Sequence, residues 1–252
     1  MSSTRKIRAV ANFLTGRTYS GISWLYPEDT KKYFCDKLTE ILPRYKMVLD
    51  AWVICNNHYH LLLGVSDGKQ IPKFTKHLHG STAHYIRQHM PSMVISDHQV
   101  LTREITPWDK RQKISFLKRT GEFQRGLKSA NIQGVVKPTG VVAQFIAPDS
   151  AIAKFISRHP EINDPEVLAL LSVKDPPIWY QYMDHVIRDE EDYYKHLNYI
   201  HQNPVKHAYT DKLTDYKWSS IHTWIEDKGN DFISDCFRTY PIIDFEPTAG
   251  AD

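Results

Sequence analysis

Two histidines stand two positions apart in the segment Asn57-His58-Tyr59-His60-Leu61. If this segment is a β-strand, alternate side chains share one face, and the two imidazoles lie about 7 Å apart along the backbone and can converge on one metal ion. The ordinary alternative is a structural role, in which each histidine is only hydrogen-bonded or exposed. Cys55 would permit a Cys/His zinc site, but no fourth ligand is apparent and cysteine is often simply buried.

A second pair of chemically useful residues lies near the end of the chain. Tyr199 and Asn203 are four positions apart in a predicted helix, so they share a face. The phenol could act as a nucleophile and the amide oxygen as a metal ligand. The alternative is that Tyr199 is a surface tyrosine and that Asn203 caps the helix before Pro204.

Hydrophobic periodicity and turn residues predict the elements that must position these groups. Asn56-Asn57 favours a hairpin turn, Pro91 is expected to follow the end of a helix, and Asn203-Pro204 to end another. The predicted order is strand, helix, strand, strand, helix, strand and terminal helix, over roughly 10–25, 27–42, 47–54, 59–65, 71–89, 178–187 and 189–202. This is the split βαβ pattern of a ferredoxin-like antiparallel sheet, so the predicted class is α+β.

The predicted order of elements matches the ferredoxin-like pattern only if a long central stretch is an insertion between the second helix and the fourth strand. Its first half is basic, and its second half carries two short helical runs near 150–158 and 165–172. We expect a small helical appendage or lid. The predicted division is 1–92 and 177–225 as the two parts of one domain, 93–176 as a mostly helical insertion, and 226–252 as a C-terminal tail.

Composition narrows the class of protein further. With 41% hydrophobic and 24% charged residues among 252, the chain has a globular composition. No apolar run approaches the roughly 20 residues that cross a membrane, and the polar first residues do not resemble a secretory signal. Three cysteines make no disulfide framework, so a cytoplasmic location is expected. Residues 1–92 hold 13 Lys/Arg against 6 Asp/Glu, which suits a polyanionic partner or, alternatively, is only an asymmetric solvated surface.

Several motifs in order resemble those of the IS200-like single-tyrosine transposases, and most closely their REP-associated branch. The resemblance covers roughly residues 10–92 and 177–225. Two departures are a bulky Tyr59 between the histidines, where the family usually has a hydrophobic residue, and the 93–176 insertion. The motifs that carry the resemblance are Asn57-His58-Tyr59-His60-Leu61-Leu62-Leu63, Trp179-Tyr180-Gln181-Tyr182, Tyr199-Ile200-His201-Gln202-Asn203-Pro204-Val205-Lys206 and Asp215-Tyr216-Lys217-Trp218-Ser219-Ser220.

The resemblance implies the HUH endonuclease fold, with a catalytic terminal helix, and a role for each matched residue. His58 and His60 match the paired histidines that hold a divalent metal, and Asn203 matches the polar third ligand. Tyr199 matches the nucleophile, which would form a 5′-phosphotyrosine link. Mixed nitrogen and oxygen ligands completed by water favour Mg²⁺ or Mn²⁺.

The implied function is a metal-dependent single-stranded DNA endonuclease and strand transferase that cuts beside DNA hairpins. Relatives work as monomers or as homodimers that exchange the tyrosine helix, and no membrane partner is expected. One alternative is a non-catalytic hairpin-DNA-binding protein descended from such a transposase. Another is an RNA-directed or zinc-stabilised binding module.

Overall fold

Four strands form one antiparallel sheet in the computed structural model, which describes residues 10–103, 151–160, 162–171 and 175–242. The strands are β1 (Val10–Thr18), β2 (Met47–Ile54), β3 (His58–Val65) and β4 (Trp179–Val186), in the spatial order β2-β3-β1-β4. Two helices, α1 (Glu28–Ile41) and α2 (Ile71–Ser96), alternate with the strands along the chain. This order and alternation confirm the predicted ferredoxin-like α+β fold.

Five further helices complete the described part of the chain. The helices α3 (Ala151–Arg158) and α4 (Pro165–Leu171) precede β4, as the two helical runs predicted, and the terminal helix α5 spans Glu190–Lys206. Two more helices follow it, α6 (Ile221–Lys228) and α7 (Asn230–Thr239). Residues from 226 onward therefore include a helix, and Ile233 and Cys236 of that helix are buried. No helix within the described ranges is long and apolar enough to cross a membrane.

The sheet is covered on both faces, which is why all eight residues of β3 are buried. On one face, Leu14, Tyr59 and Leu61 join a core with α1 and α2. On the other, Phe13 and Leu62 pack with residues of α5 in a second cluster. The period-two alternation of a strand thus sends Tyr59 to one core and the flanking histidines to the other.

Two helices continue past prolines that were expected to follow their ends. The helix α2 runs through Pro91 to Ser96, and α5 runs through Pro204 to Lys206. Proline removes one backbone hydrogen bond, but packing outweighs the loss in both places. Met93 and Val94 continue the buried stripe of α2, while Pro204 is itself buried. The first strand is shorter than predicted, because the backbone turns at Tyr19–Gly21 with Ser20 at φ 53°.

The described part of the insertion packs against the main core. Ile156 of α3 and Leu168 and Leu171 of α4 belong to the same buried cluster as Leu78 of α2. Arg103 reaches across to Asp164 at 2.6 Å and also donates to the carbonyl of Ser20 at 2.9 Å. The basic run predicted between 104 and 150 lies outside the described residues.

Candidate active site

The paired histidines lie on the face of β3 that α5 covers. His58 and His60 are 3% and 5% exposed, and their ring centroids are 5.0 Å apart. The phenyl ring of Phe13 stacks on the His60 ring at 5.3 Å. A strand places alternate side chains on one face, and the tight turn before His58 starts that strand at the first histidine. The sequence-predicted pairing of the imidazoles is therefore present.

Hydrogen bonds to Nδ1 fix the orientation of both imidazoles. His58 Nδ1 donates to Asn57 Oδ1 at 2.6 Å, and Asn57 is itself oriented because its Nδ2 donates to the Gly21 carbonyl at 3.1 Å. His60 Nδ1 shares a hydrogen bond with Thr15 Oγ1 at 2.8 Å. Such partners are typical of metal-ligating histidines, because they leave the Nε2 lone pair for a cation.

Asn203 completes a set of donor atoms suited to a metal. Its Oδ1 lies 3.0 Å from His58 Nε2. With the His58 proton on Nδ1, a nitrogen lone pair and an oxygen lone pair face each other at that distance, and a cation bound by both atoms would make the arrangement favourable. His60 Nε2 is also buried and has no hydrogen-bond partner. The donor atoms of His58, His60 and Asn203 therefore fit a divalent cation.

Burial keeps both imidazoles neutral. The pKa of His58 and the pKa of His60 lie well below the usual value near 6.5, first because burial disfavours the charged form and then because nearby basic side chains oppose a further positive charge. His207, whose ring is 4.8 Å from that of His58, is one of those neighbours. Neutral imidazole is the form that binds metals, so the environment favours ligation.

Tyr199 lies beside this site within the same chain. Its ring centroid is 5.1 Å from that of His60, in an edge-to-face arrangement, and 6.0 Å from that of Phe13. Lys206 Nζ lies 5.3 Å from the centroid of the Tyr199 ring. Tyr199 is half-buried rather than a free surface residue. The helix α5 thus brings a phenol, an amide and an ammonium group next to the two imidazoles.

Asn203 does not cap the helix, because α5 continues three residues beyond it. Cys55 is fully buried, and its thiol donates to Asn203 Oδ1 at 3.0 Å. Cys55 therefore lies at the candidate metal site, as the zinc alternative required.

The buried Lys31 stabilises the turn that precedes β3, because its Nζ donates to Asn56 Oδ1 at 2.9 Å. Burial lowers the pKa of Lys31 to about 8.

A second group of possible metal ligands lies next to Phe13, whose ring centroid is 4.5 Å from that of His196. Ligand atoms of His185, Asp192 and His196 are all within 4.8 Å of one another. The geometry is that of a reciprocal helix cap: Asp189 accepts from the Asp192 backbone N–H at 2.8 Å, and the Asp192 carboxylate accepts from the Arg188 backbone N–H at 3.1 Å. We therefore interpret this group first as the start of α5.

Sequence reasoning missed Phe13, Thr15 and the orienting role of Asn57. Phe13 and Thr15 reach the site only because of the β1–β3 register, which pairs Thr15 with His60. No local pattern in β1 carries that information. The position of Asn57 next to His58 could have indicated a role at the site. Its hydrogen bond to the Gly21 carbonyl, however, depends on how the chain folds around Gly21.

Comparisons with known proteins agree with the resemblance that the motifs indicated. Residues 22–100 match the family model described as "Transposase IS200 like". A Haemophilus influenzae protein named "Putative REP-associated tyrosine transposase" is 42% identical over 50 residues, 19% of this chain and 28% of that protein. The REP-associated tyrosine transposase of Escherichia coli is 34% identical over 70 residues, 27% of this chain and 40% of that protein.

The matched stretches thus span less than half the length of these curated relatives. Among solved structures, a REP-associated tyrosine transposase bound to a REP hairpin matches 90% of this chain and 86% of its own, with 14% identity and a TM-score of 0.47. The sequence matches confirm the predicted resemblance: over these stretches the chain is similar to the IS200-like transposases and to REP-associated tyrosine transposases.

Proposed function

We propose that the protein is a metal-dependent single-stranded DNA endonuclease and strand transferase that cuts beside hairpins. The observation that carries the proposal is the meeting of His58 Nε2 and Asn203 Oδ1 at 3.0 Å, with the Tyr199 ring 5.1 Å from His60. A cation site and a phenol side by side are the parts that phosphodiester attack by tyrosine requires.

Tyr199 is the proposed nucleophile. Its Oη forms a bond to the scissile phosphorus while the bond from phosphorus to the O3′ atom breaks. The phenol proton goes to solvent, and the departing oxygen takes up a proton to become a free 3′-hydroxyl. The product is a 5′-phosphotyrosine link, and attack by a 3′-hydroxyl on that link reverses the step without an external energy source.

The surroundings of Tyr199 suit this role. A free phenol has a pKa near 10 and is a weak nucleophile at neutral pH, so neighbouring positive charge helps the phenolate to form. Lys206 supplies such a charge 5.3 Å from the ring centroid. Phe13 packs against both His60 and Tyr199 and so holds the nucleophile beside the metal ligands.

His58, His60 and Asn203 are the proposed metal ligands. When bound, the cation would polarise the phosphate and offset the negative charge that develops on its non-bridging oxygens. Two imidazoles and an amide oxygen, completed by water and phosphate, favour Mg²⁺ or Mn²⁺. Thiol participation by Cys55 would shift that preference towards zinc, and a metal-dependence series of the reaction distinguishes the two.

All of these groups belong to one chain, so the proposed reaction needs no second copy, and the predicted homodimer stays a prediction. The proposed nuclease unit combines residues 1–92 with 177–225. Hairpin DNA as the substrate follows from the family resemblance and from the basic first part of the chain.

The decisive test is covalent capture. Purified protein is incubated with a hairpin-flanked oligonucleotide and Mg²⁺ or Mn²⁺, and the adduct is resolved by denaturing electrophoresis. We expect an adduct that chelator and Tyr199→Phe both abolish, whereas Tyr194→Phe on the same helix leaves it intact. An adduct that persists in Tyr199→Phe refutes the nucleophile, and hairpin binding without any adduct supports the non-catalytic alternative.

A further inference from the structure

Three metal-binding side chains from two elements meet beside the candidate active site. His185 lies near the end of the edge strand β4, and Asp192 and His196 lie in the first two turns of α5. Their ligand atoms are all within 4.8 Å of one another. Asp192 and His196 are buried, whereas His185 is exposed, so solvent reaches one side of the group.

The distances within this group are those of ligands around one small cation. The Asp192 carboxylate reaches both imidazoles, with Oδ2 3.2 Å from His185 Nε2 and Oδ1 3.2 Å from His196 Nδ1. Bonds of about 2.0–2.1 Å in a tetrahedral zinc site place neighbouring ligand atoms about 3.3 Å apart. The two imidazole rings stack with their centroids 5.2 Å apart, and the exposed His185 ring can rotate to bring its nitrogen closer.

The start of the helix explains only part of this arrangement. A helix cap requires one oxygen of Asp192 and neither histidine. Arg188 donates to Oδ2 of Asp192 through its backbone N–H at 3.1 Å and through Nε at 3.0 Å. Oδ1 faces His196 instead. A cation held by Oδ1 and the two imidazoles therefore leaves the backbone hydrogen bond of the cap in place.

The protonation states of the buried members suit a cation. Burial alone would raise the pKa of Asp192, but hydrogen bonds from Arg188 and His185 lower it to about 2, so the carboxylate is ionised at neutral pH. Burial lowers the pKa of His196, so that imidazole is neutral. His196 Nδ1 lies 2.7 Å from the Asp192 carbonyl oxygen and donates to it in the metal-free protein. Metal binding selects the other neutral tautomer, with the proton on Nε2.

We propose that His185, Asp192 and His196 form a second cation site, which takes a divalent transition metal such as Zn²⁺. Two imidazole nitrogens and one carboxylate favour Zn²⁺ over Mg²⁺, and three protein ligands leave a position for water on the exposed side. The cation joins the edge strand β4 to the first turns of α5. The inference needs neither DNA nor catalysis, so it is independent of the proposed function.

Zinc titration of the metal-free chain by calorimetry tests the inference. Because Zn²⁺ can also bind at the paired histidines of β3, the titration is done in the wild type and in His60→Gln. In both backgrounds His185→Gln should reduce the number of tightly bound Zn²⁺ ions by one. Loss of an outer partner of a ligand already weakens metal binding about 10- to 100-fold, so loss of this ligand should cost at least about 100-fold. His84→Gln, which replaces an exposed histidine of α2, is the matched control and should leave zinc binding unchanged.

Arg188→Gln is a second variant, for which a purely structural cluster predicts no gain in zinc affinity. The Arg188 guanidinium is largely exposed and shares Oδ2 of Asp192, so its charge opposes a cation at this position. Removing that charge should tighten zinc binding about 2- to 5-fold. Zn²⁺ should also raise the melting temperature of His60→Gln, and the addition of His185→Gln should abolish that rise.

Equal zinc affinity in His185→Gln and His84→Gln would overturn the inference. A wild type that binds one Zn²⁺, which His60→Gln alone removes, would overturn it as well, and so would weaker zinc binding in Arg188→Gln. The nuclease proposal is tested by a different result, the covalent adduct, so the two can fail separately. Circular dichroism spectra of the variants check that each is folded before it is titrated.

Discussion

Replacing Gly16 by alanine tests how β1 supports the paired histidines. Gly16 lies opposite Tyr59 in the β1–β3 register, and the Tyr59 ring covers it. An added Cβ would lie 2.3 Å from Tyr59 Cε1 and 2.4 Å from Cζ, more than 1 Å inside ordinary contact. Something must move, and the nearest candidate is the tyrosine between His58 and His60.

Tyr59 has little freedom to move. It is fully buried, its hydroxyl shares a hydrogen bond with His79 Nε2 at 2.8 Å, and its ring packs against Phe34 with the centroids 4.9 Å apart. Overpacking of a closed core costs 1–3 kcal/mol and occasionally more, and we expect about 3 kcal/mol for Gly16→Ala. Any shift of Tyr59 also displaces the neighbouring imidazoles, so Mn²⁺ affinity should fall as well.

Urea unfolding measures the first effect, and isothermal titration with Mn²⁺ measures the second. Gly80→Ala is a control of opposite sign, because nothing lies within 4 Å of its Cβ and alanine in a helix interior stabilises by about 1 kcal/mol. In a double-mutant cycle with Tyr59→Leu, removing the ring should recover about 2 kcal/mol of the loss. Strict additivity, or a loss below about 0.5 kcal/mol for Gly16→Ala, would refute the argument.

Three further predictions concern the site and the dependence of stability on pH. Thr15→Val removes the partner of His60 Nδ1 and should weaken Mn²⁺ binding 10- to 100-fold in titration calorimetry, with Thr15→Ser restoring it; unchanged affinity would contradict the orienting role. Asp192→Asn should cost about 2 kcal/mol in urea unfolding at pH 7: burial alone would raise the pKa of Asp192, but hydrogen bonds lower it to about 2. This stabilisation is present above the unfolded pKa near 4 and is lost as the pH falls towards 2, so the wild type and the variant should converge there. Burial lowers the pKa of His79 and of His201 to about 3, so the unfolded chain binds more protons below pH 6.5. Each should cost about 1.4 kcal/mol per pH unit between 6 and 3, and a flat profile in metal-free protein would contradict their burial as neutral groups.

Local signals in the sequence predicted most of the elements correctly. The hairpin forms at Asn56-Asn57, where the Cys55 N–H donates to the His58 carbonyl at 2.8 Å, and α1 begins after Pro27 as expected. Turn residues and helix starts act through neighbours in the chain, so a sequence displays them. The two prolines misled the prediction because burial of distant side chains decided those helix ends.

The residues of the candidate site also fall into two groups: those that local sequence patterns predict, and those that only the folded chain brings close. Histidine alternation and the four-residue spacing of Tyr199 and Asn203 are local, and the structure brings all these residues together. The partners that aim the imidazoles come from elsewhere: Thr15 depends on strand register, and Cys55 meets Asn203 across 148 positions of the chain. Patterns along one segment cannot predict contacts that arise only when the sheet and α5 pack together.

Tyr59 shows what the structure adds to a departure noted in the sequence. A large phenol between two metal-binding histidines suggests a perturbed motif when only β3 is considered. The fold supplies a space for it, because Gly16 on the next strand has no side chain and His79 Nε2 shares a hydrogen bond with its hydroxyl. The side chain therefore points away from the histidine face and fills the opposite core. Substitution of that glycine, more than the tyrosine itself, is what would disturb the geometry of His58 and His60.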